Sequence, residues 1–577
     1  MLKTILKSVR EYKKAAMLAP FFVAIEVILE VIIPTLMAAL IDNGIQAGNM
    51  EYTIRTGIIL VILCVLSLLA GMLSGKYAAD ASAGFAKNLR KDMYYNVQGF
   101  SFANIDKFST ASIVTRLTTD ITNVQQAFMM VIRVAVRNPM MVIFSFVMVA
   151  RINIGISLIY LAVIPIMAIA LFILMKKTHP IFEKLFETYD GMNSTVQENL
   201  RGIKVVKSYV REDFETEKFK TINQKMYDLG TRAEKNLAMA MPVMQFCIYG
   251  TIVFCSWFGA QNIVNGVMTT GQLTSVFTYS MQILISLMML SMVFVMITMS
   301  QASAERIAEI LSEKSTLTNG DAPVYEVKNG DIDFKDVSFG YSEGDDKYVL
   351  KDINLHIASG QTVGIIGGTG SSKSTLVQMI PRLYDVSEGS VEVGGVDVRN
   401  YDIETLRNEV AMVLQKNVLF SGTIKENLRW GDENATDEDI ERVCKLACAD
   451  EFINNFPDGY DTYIEQGGTN VSGGQKQRLC IARALLKKPK ILILDDSTSA
   501  VDTKTDAIIR RAFASEIPDT TKLIIAQRIS SVEEADVIVV IDDGKIVGVG
   551  DHKELLRTNQ IYKEVFDSQV KGGEGNE

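Results

Sequence analysis

The chain has 577 residues, 48% of them hydrophobic, and a mean hydropathy of +0.19, which points to several domains with membrane-embedded segments among them. A formal net charge of −9 with no basic block gives no reason to expect nucleic acid as a partner. Six cysteines without a C-x-x-C pair show no disulfide framework, and three histidines disfavour a zinc or histidine-based centre.

Lys3, Lys7, Arg10, Lys13 and Lys14 open the chain and place the N-terminus on the cytoplasmic side by the positive-inside rule. The apolar run that follows is too long for the core of a cleavable signal. Stretches of membrane-spanning length lie near 17–41, 54–73, 129–150, 154–175, 238–260 and 275–300. The loops at 42–53, 150–154 and 261–274 are short and together hold one Arg and no Lys. The stretches 76–127 and 176–237 are long and carry most of the Lys and Arg of the first 311 residues. Three short outer loops and two long inner connections are therefore expected. Because 181–237 keeps a helical period and has no proline, the spanning helices should continue well past the bilayer.

Charges inside the spans need a reason, because a lone charge at membrane depth is costly. Glu26 and Glu30 share one face of the first span, and Arg133 and Arg137 share one face of the third. Two readings stay open: a structural Glu–Arg ladder, or a cavity lined by Glu26, Glu30 and Arg137 that recognises cationic substrates. The last span carries Met281, Met288, Met289, Met292, Met296 and Met299, which suit either core packing or an adaptable binding surface.

Around 312–329 the hydrophobic runs stop, and Gly320, Pro323 and Gly330 punctuate a polar link. Beyond it, short apolar runs at 362–366, 491–494, 523–526 and 537–541 alternate with helical stretches, as in a parallel α/β sheet. Between the first of these runs and a helix start at 374–379 lies Gly367-Gly368-Thr369-Gly370-Ser371-Ser372-Lys373-Ser374-Thr375. This is nearly the P-loop pattern. Backbone N–H groups of such a loop converge on a phosphate chain. Lys373 would reach the β/γ-phosphates of ATP, and Ser374 would hold Mg²⁺. One position departs from the pattern: Ser372 stands where the second motif glycine is expected. A glycine-rich turn without a ligand is the competing reading. The expected plan is a transmembrane domain at 1–311, a linker at 312–329, a nucleotide-binding domain at 330–570 and a tail at 571–577.

Further stretches follow in a telling order: Val337-Ser338-Phe339-Gly340-Tyr341, Leu414-Gln415, Val471-Ser472-Gly473-Gly474-Gln475, Ile491-Leu492-Ile493-Leu494-Asp495 and Ser499-Ala500-Val501-Asp502. After six spans and a P-loop, this order resembles an ATP-binding cassette (ABC) exporter half-transporter, across essentially the whole chain. The resemblance implies a six-helix α-helical transmembrane domain followed by an α/β P-loop ATP-binding cassette domain. It also implies that Tyr341 stacks on adenine, that Gln415 and Asp495 join Ser374 at Mg²⁺, and that Asp502 lies in the D-loop. Ser472, Gly473, Gly474 and Gln475 are similar to the family signature, which caps the ATP held by a partner's P-loop at a helix N-terminus. A second half-transporter is therefore an expected partner. The segments at 113–119 and 208–215 resemble coupling helices, the second crossing to the partner.

Two positions depart from the family where water is activated. Asp496 replaces the usual Glu, drawing the carboxylate back by roughly 1.5 Å. An error of about 1 Å at a reacting group can cost on the order of a hundredfold in rate. Gln527 replaces the usual His and cannot act as a cation or proton shuttle. Gln466, before the signature, also departs from the commoner acidic pattern. Harmless drift, with a working Asp, is the simple alternative. Because Lys373, Ser374, Asp495 and Gln415 remain, the pattern keeps binding and weakens hydrolysis, and the intact signature can still serve a partner. The chain thus resembles the degenerate-site subunit of a bacterial heterodimeric multidrug exporter in the cell membrane, acting on drugs, lipids or peptides. A homodimeric flippase and an ATP-gated regulatory subunit are the alternatives.

Overall fold

The computed structural model describes residues 1–341, 347–496 and 501–573. It divides into two units, residues 1–98 with 110–313, and residues 99–109 with 314–577.

The first unit is helical: α1 (Lys13–Ala39), α2 (Met50–Gln98), α3 (Ile121–Ile152), α4 (Ile154–Arg201), α5 (Glu212–Ala238), α6 (Ala240–Val264) and α7 (Thr270–Ser312). Among the described residues, six helical runs are long and apolar enough to cross a membrane, α5 and α6 counting as one. α2 has 49 residues, which at 1.5 Å each is roughly 70 Å, against a hydrocarbon layer of about 30 Å. The excess length is why these helices carry apolar residues for one part of their course and Lys, Arg and Glu for the rest. Val23, Val27 and Val31 of α1 are buried with Met141 of α3, Tyr160 of α4 and Tyr279 and Ile283 of α7. At the long-connection end, Asp120 is buried and accepts from Arg306 Nε at 2.7 Å and Nη2 at 2.5 Å, while Arg116 donates to Glu309 at 2.7 Å. These bonds tie the helical turn Arg116–Asp120, which leads into α3, to the end of α7.

Between α4 and α5 the chain forms a short helix, Ile203–Ser208, and then breaks at Val210, whose φ is +52°. Tyr209, Val210 and Phe214 stand exposed around this turn. The other long connection differs from expectation. The segment 113–119 lies within the helical run of the first unit, and the element grouped with the second unit is instead a helix at Phe102–Phe108. Ser101 and Asn104 form its capping box, which satisfies the free N–H groups of its first turn.

The second unit holds a six-stranded sheet, a four-stranded antiparallel sheet and a two-stranded antiparallel pair. Its strands are β1 (Ile332–Phe339), β2 (Leu350–Ile357), β3 (Thr362–Gly367), β4 (Glu388–Val393), β5 (Val396–Asp397), β6 (Val410–Val413), β7 (Gly422–Thr423), β8 (Tyr463–Ile464), β9 (Ile491–Asp495), β10 (Thr521–Ile525), β11 (Val537–Asp542) and β12 (Lys545–Gly550). The large sheet runs β12-β11-β3-β10-β9-β6, parallel except for β12, the four-stranded sheet runs β2-β1-β4-β5, and β7 pairs with β8. Side chains of β9 alternate between two cores. Ile491 and Ile493 join the cluster shared with β1, β2 and β4, and Leu492 and Leu494 join the helical cluster on the other face. Both faces of this sheet are covered, so its strands read as unbroken apolar runs.

Candidate functional site

β3 lies between β10 and β11, and the chain leaves it at Gly367 into the phosphate-loop sequence. A side chain at Gly367 would place Cβ 2.1 Å from the carbonyl oxygen of Ile541, so only glycine fits there. Ser372 has φ +71°. The position where glycine is missing thus keeps glycine's left-handed backbone, at a cost of roughly 1–2 kcal/mol. Gly368, Thr369 and Gly370 form an exposed lip, with Ser371 buried beneath it and Ser374 and Thr375 beginning the helix α8 (Lys373–Gln378). Lys373 Nζ bridges the loop, donating to the carbonyl oxygens of Gly367 at 2.9 Å and Gly368 at 2.7 Å and to Ser371 Oγ at 3.3 Å. Burial pulls the Lys373 ammonium below its ordinary pKa, and the nearby carboxylates of Asp495 and Asp496 oppose that pull.

β9 ends in Asp495 at the same edge of the sheet. Ser374 Oγ donates to Asp495 Oδ1 at 2.8 Å. Burial raises the Asp495 carboxyl pKa, with the Ser374 bond opposing and Asp496 adding to it. The Ser374 hydroxyl and the Asp495 carboxylate, 2.8 Å apart, are hard-oxygen donors of the kind Mg²⁺ takes, so their chemistry fits that ion. Asp496 has φ +48°; its N–H donates to the Ile525 carbonyl at 3.1 Å, and its own carbonyl accepts from Gln477 Nε2 at 3.4 Å. The Asp496 carboxylate accepts from Gln527 Nε2 at 2.7 Å and from Gln415 Nε2 at 3.5 Å. Gln527 follows β10, the strand between β3 and β9, so the topology itself brings Gln527, Asp496 and the phosphate loop to one edge.

Tyr341 is half exposed and shares a hydrogen bond with Thr375 Oγ1 at 2.9 Å. Ser472 caps the helix α9 (Gly473–Leu486): Gln475 N–H donates to Ser472 Oγ at 3.3 Å, and Ser472 N–H donates to Gln475 Oε1 at 2.9 Å. Gly474 lies in the first turn of α9. Among the described residues, no hydrogen bond joins Ser472–Gln475 to the phosphate loop. Asp502 caps the helix α10 (Thr503–Glu516), accepting from Thr505 N–H at 3.0 Å; the Thr505 side chain and then its N–H lower the Asp502 carboxyl pKa. Ser499 and Ala500 lie outside the described residues. Sequence reasoning missed Gln477 and Tyr384. Gln477 lies two places past the signature on the buried face of α9, and a polar residue on that face was the available signal.

In the first unit, Arg137 sits between the two acids. Its Nη2 donates to Glu30 Oε1 at 2.9 Å and Oε2 at 2.7 Å, and its Nε lies 3.6 Å from Glu26 Oε1. Glu26 Oε2 is buried without a hydrogen-bond partner among the described residues. A Cβ at Gly71 of α2 would come 3.2 Å from Glu26 Oε1, so a small residue there makes room for the acid.

Family profiles match in the same order as these units: "ABC transporter transmembrane region" over residues 16–288 and "ABC transporter" over residues 350–499. An uncharacterized ABC transporter ATP-binding protein of Bacillus subtilis (strain 168), YfiB, is 36% identical over 576 residues, covering 99% of each chain. An ATP-dependent lipid A-core flippase of Pectobacterium atrosepticum is 31% identical over 536 residues, covering 93% of this chain and 92% of its own. The solved structure of a bacterial Atm1-family ABC exporter with ATP bound superposes with a TM-score of 0.81 at 22% identity, over 97% of this chain and 98% of that one. At that identity the likeness speaks for the fold. The chain belongs to the ABC transporter family, a multipass membrane protein that joins the transmembrane region and the ATPase domain of that family in one polypeptide.

Proposed function

We propose that this chain is one half of a heterodimeric exporter of amphipathic small molecules, and that its own ATP site binds nucleotide but hydrolyses it slowly. The observation that carries the reading is the Gln527 amide seated on the Asp496 carboxylate at 2.7 Å, beside an intact Lys373, Ser374 and Asp495. In this reading Tyr341 stacks on adenine, the N–H groups from Gly368 to Thr375 cradle the phosphates, and Lys373 leaves the loop carbonyls for the γ-phosphate. Ser374, Asp495 and Gln415 would hold Mg²⁺, which supplies positive charge against the phosphate oxygens. Asp496 is the group that would orient the attacking water. It is one methylene short and already accepts a hydrogen bond from an amide that cannot take up a proton.

Ser472 to Gln475 have no such handicap. Their helix end is capped and, among the described residues, makes no hydrogen bond to this chain's own phosphate loop, which suits the ATP of a second half-transporter. Glu26, Glu30 and Arg137 are candidate lining of the substrate cavity. The reading places the N-terminus and the second unit in the cytoplasm, in keeping with the Lys and Arg of the long connections, and the bacterial relatives support a bacterial cell membrane. A second reading, a homodimeric lipid flippase, is favoured by the lipid A-core flippase among the relatives. It requires a working Asp496 in both sites. Co-expression with the neighbouring subunit, with only this chain tagged, decides between them by intact mass. A one-to-one complex with a different half-transporter is expected, and a stable, fully active homodimer overturns the heterodimer.

A further inference from the structure

We propose that Tyr384 is a positioning residue that ties nucleotide occupancy at Tyr341 to the short helix Phe102–Phe108. The proposal rests on the reading of Tyr341 as the adenine platform. Tyr384 packs edge to face against Tyr341, with ring centroids 5.3 Å apart and planes at 88°. Phe339 supports both rings, at 4.9 Å from Tyr341 and 5.6 Å from Tyr384. On its other side the Tyr384 hydroxyl donates to Asp106 Oδ2 at 2.7 Å, and its ring stacks near Phe102 at 6.1 Å. Burial, with the Asp106 bond adding to it, holds the Tyr384 hydroxyl well above its ordinary pKa, so it remains a donor at neutral pH.

Neither end of this path is loose. The turn carrying Tyr384 directly follows α8, with Leu383 N–H donating to the Gln378 carbonyl at 3.0 Å. Arg382 pairs with Asp385 at 2.8 Å, and Arg407 donates to the carbonyl oxygens of Arg382 at 2.7 Å and Pro381 at 3.2 Å. The short helix is held at its start by Ser101 bonded to Thr316 at 2.7 Å and by Asn104 donating to the Lys314 carbonyl at 3.1 Å. Tyr341 is fixed by its hydroxyl on Thr375, in the first turn of α8. A purine settling on the exposed part of Tyr341 therefore presses on a ring that is also packed edge to face with Tyr384. Tyr384 transmits the displacement to Asp106 through one directional hydrogen bond. The helix that receives it sits in sequence between α2 and α3, so the chain itself carries the shift onward.

Hydrogen–deuterium exchange of the purified complex, with and without the non-hydrolysed probe Mg·AMP-PNP, tests this. Wild type should show a nucleotide-dependent change in exchange for the peptide covering 99–109, alongside protection of 367–375. Tyr384→Phe and Asp106→Ala each remove the same hydrogen bond and keep the aromatic packing. Both should leave AMP-PNP affinity within about twofold, because the Tyr341 and phosphate-loop contacts are untouched, and both should lose the 99–109 response. The double variant should be no worse than either single one, because one bond is being removed. Tyr341→Ala should weaken AMP-PNP binding. If it does not, the platform is wrong and the proposal falls with it. If it does, but the 99–109 response survives in Tyr384→Phe with nucleotide bound, the relay alone is overturned.

Discussion

The phosphate loop and the corner after β9 lie at the same edge of one sheet, yet they spend their polar atoms in opposite ways. In the loop, Lys373 rests on main-chain carbonyls of Gly367 and Gly368, beside an exposed lip where nothing lies within 4 Å of a Cβ placed on Gly368. In the proposed reading those contacts are exchanged for a phosphate. At the corner, the Asp496 carboxylate accepts from two side-chain amides, and its backbone is held in a left-handed conformation by Ile525 and Gln477. Different strands supply the two regions, β3 for the loop and β9 with β10 for the corner. In the proposed reading, the difference makes affinity and turnover separable by single substitutions, because one sheet edge brings together two loops that would carry them independently.

The largest effect should come from breaking the loop. Lys373→Ala removes a charged donor from the phosphates, and charge-assisted hydrogen bonds are worth about 1.5–3 kcal/mol. ATP affinity at this chain's site should fall by about ten- to a hundredfold. Photolabelling with an azido-ATP, resolved by subunit mass, reads this site separately from the partner's. An unchanged titration would remove the loop from nucleotide binding.

Next comes the signature. Ser472→Ala deletes both the cap of α9 and a hydroxyl that the proposed partner's nucleotide would meet. Steady-state ATPase of the complex should fall by about tenfold or more, as expected for one charge-assisted hydrogen bond felt in the transition state. A change of less than about twofold would place the competent site elsewhere.

The fold class was readable because its signals are periodic or fixed in spacing. Spans announce themselves by length, and the parallel strands by apolar runs that serve two cores at once. The phosphate loop was readable because its chemistry fixes residue type and order. What stayed hidden depended on long-range contact. Nothing near Tyr384 in the chain points to Asp106, 278 positions away. The element at the first long connection was displaced from 113–119 to Phe102–Phe108, and the capping pair Ser101 and Asn104 was the local sign of it. The charged cluster was legible as a pairing of faces. The bidentate grip of Arg137 on Glu30, with Glu26 Oε2 left over, depends on helix rotation, which spacing does not fix.

A smaller effect is expected at the turn between α4 and α5. Tyr209 and Phe214 are exposed in this chain, and the proposed partner would cover them. Replacing either by Ser should leave basal ATPase intact and remove most of its stimulation by an amphipathic dye such as Hoechst 33342. Stimulation that survives both changes would argue that the turn does not dock.

The smallest effect should be at Asp496 itself, and it sharpens the comparison most. Asp496→Asn keeps the size of the side chain and removes its charge. If the corner contributes little chemistry, the complex should lose no more than about twofold in steady-state turnover, less than 0.5 kcal/mol in the barrier. The substitution leaves the hydrogen bonds of Lys373 and of the Ser374–Asp495 pair in place and removes one nearby negative charge, so affinity at the site should hold. The contrast with Ser472→Ala is internal to one polypeptide: the same chain should tolerate damage at its own corner and fail when the residue offered to its partner is damaged. A homodimer working through Asp496 predicts that both variants are severe, because Asp496→Asn would then alter the base, and Ser472→Ala the signature, in both sites. Assayed side by side, an Asp496→Asn complex without turnover would show that this carboxylate still does the chemistry, with Gln527 serving to orient it.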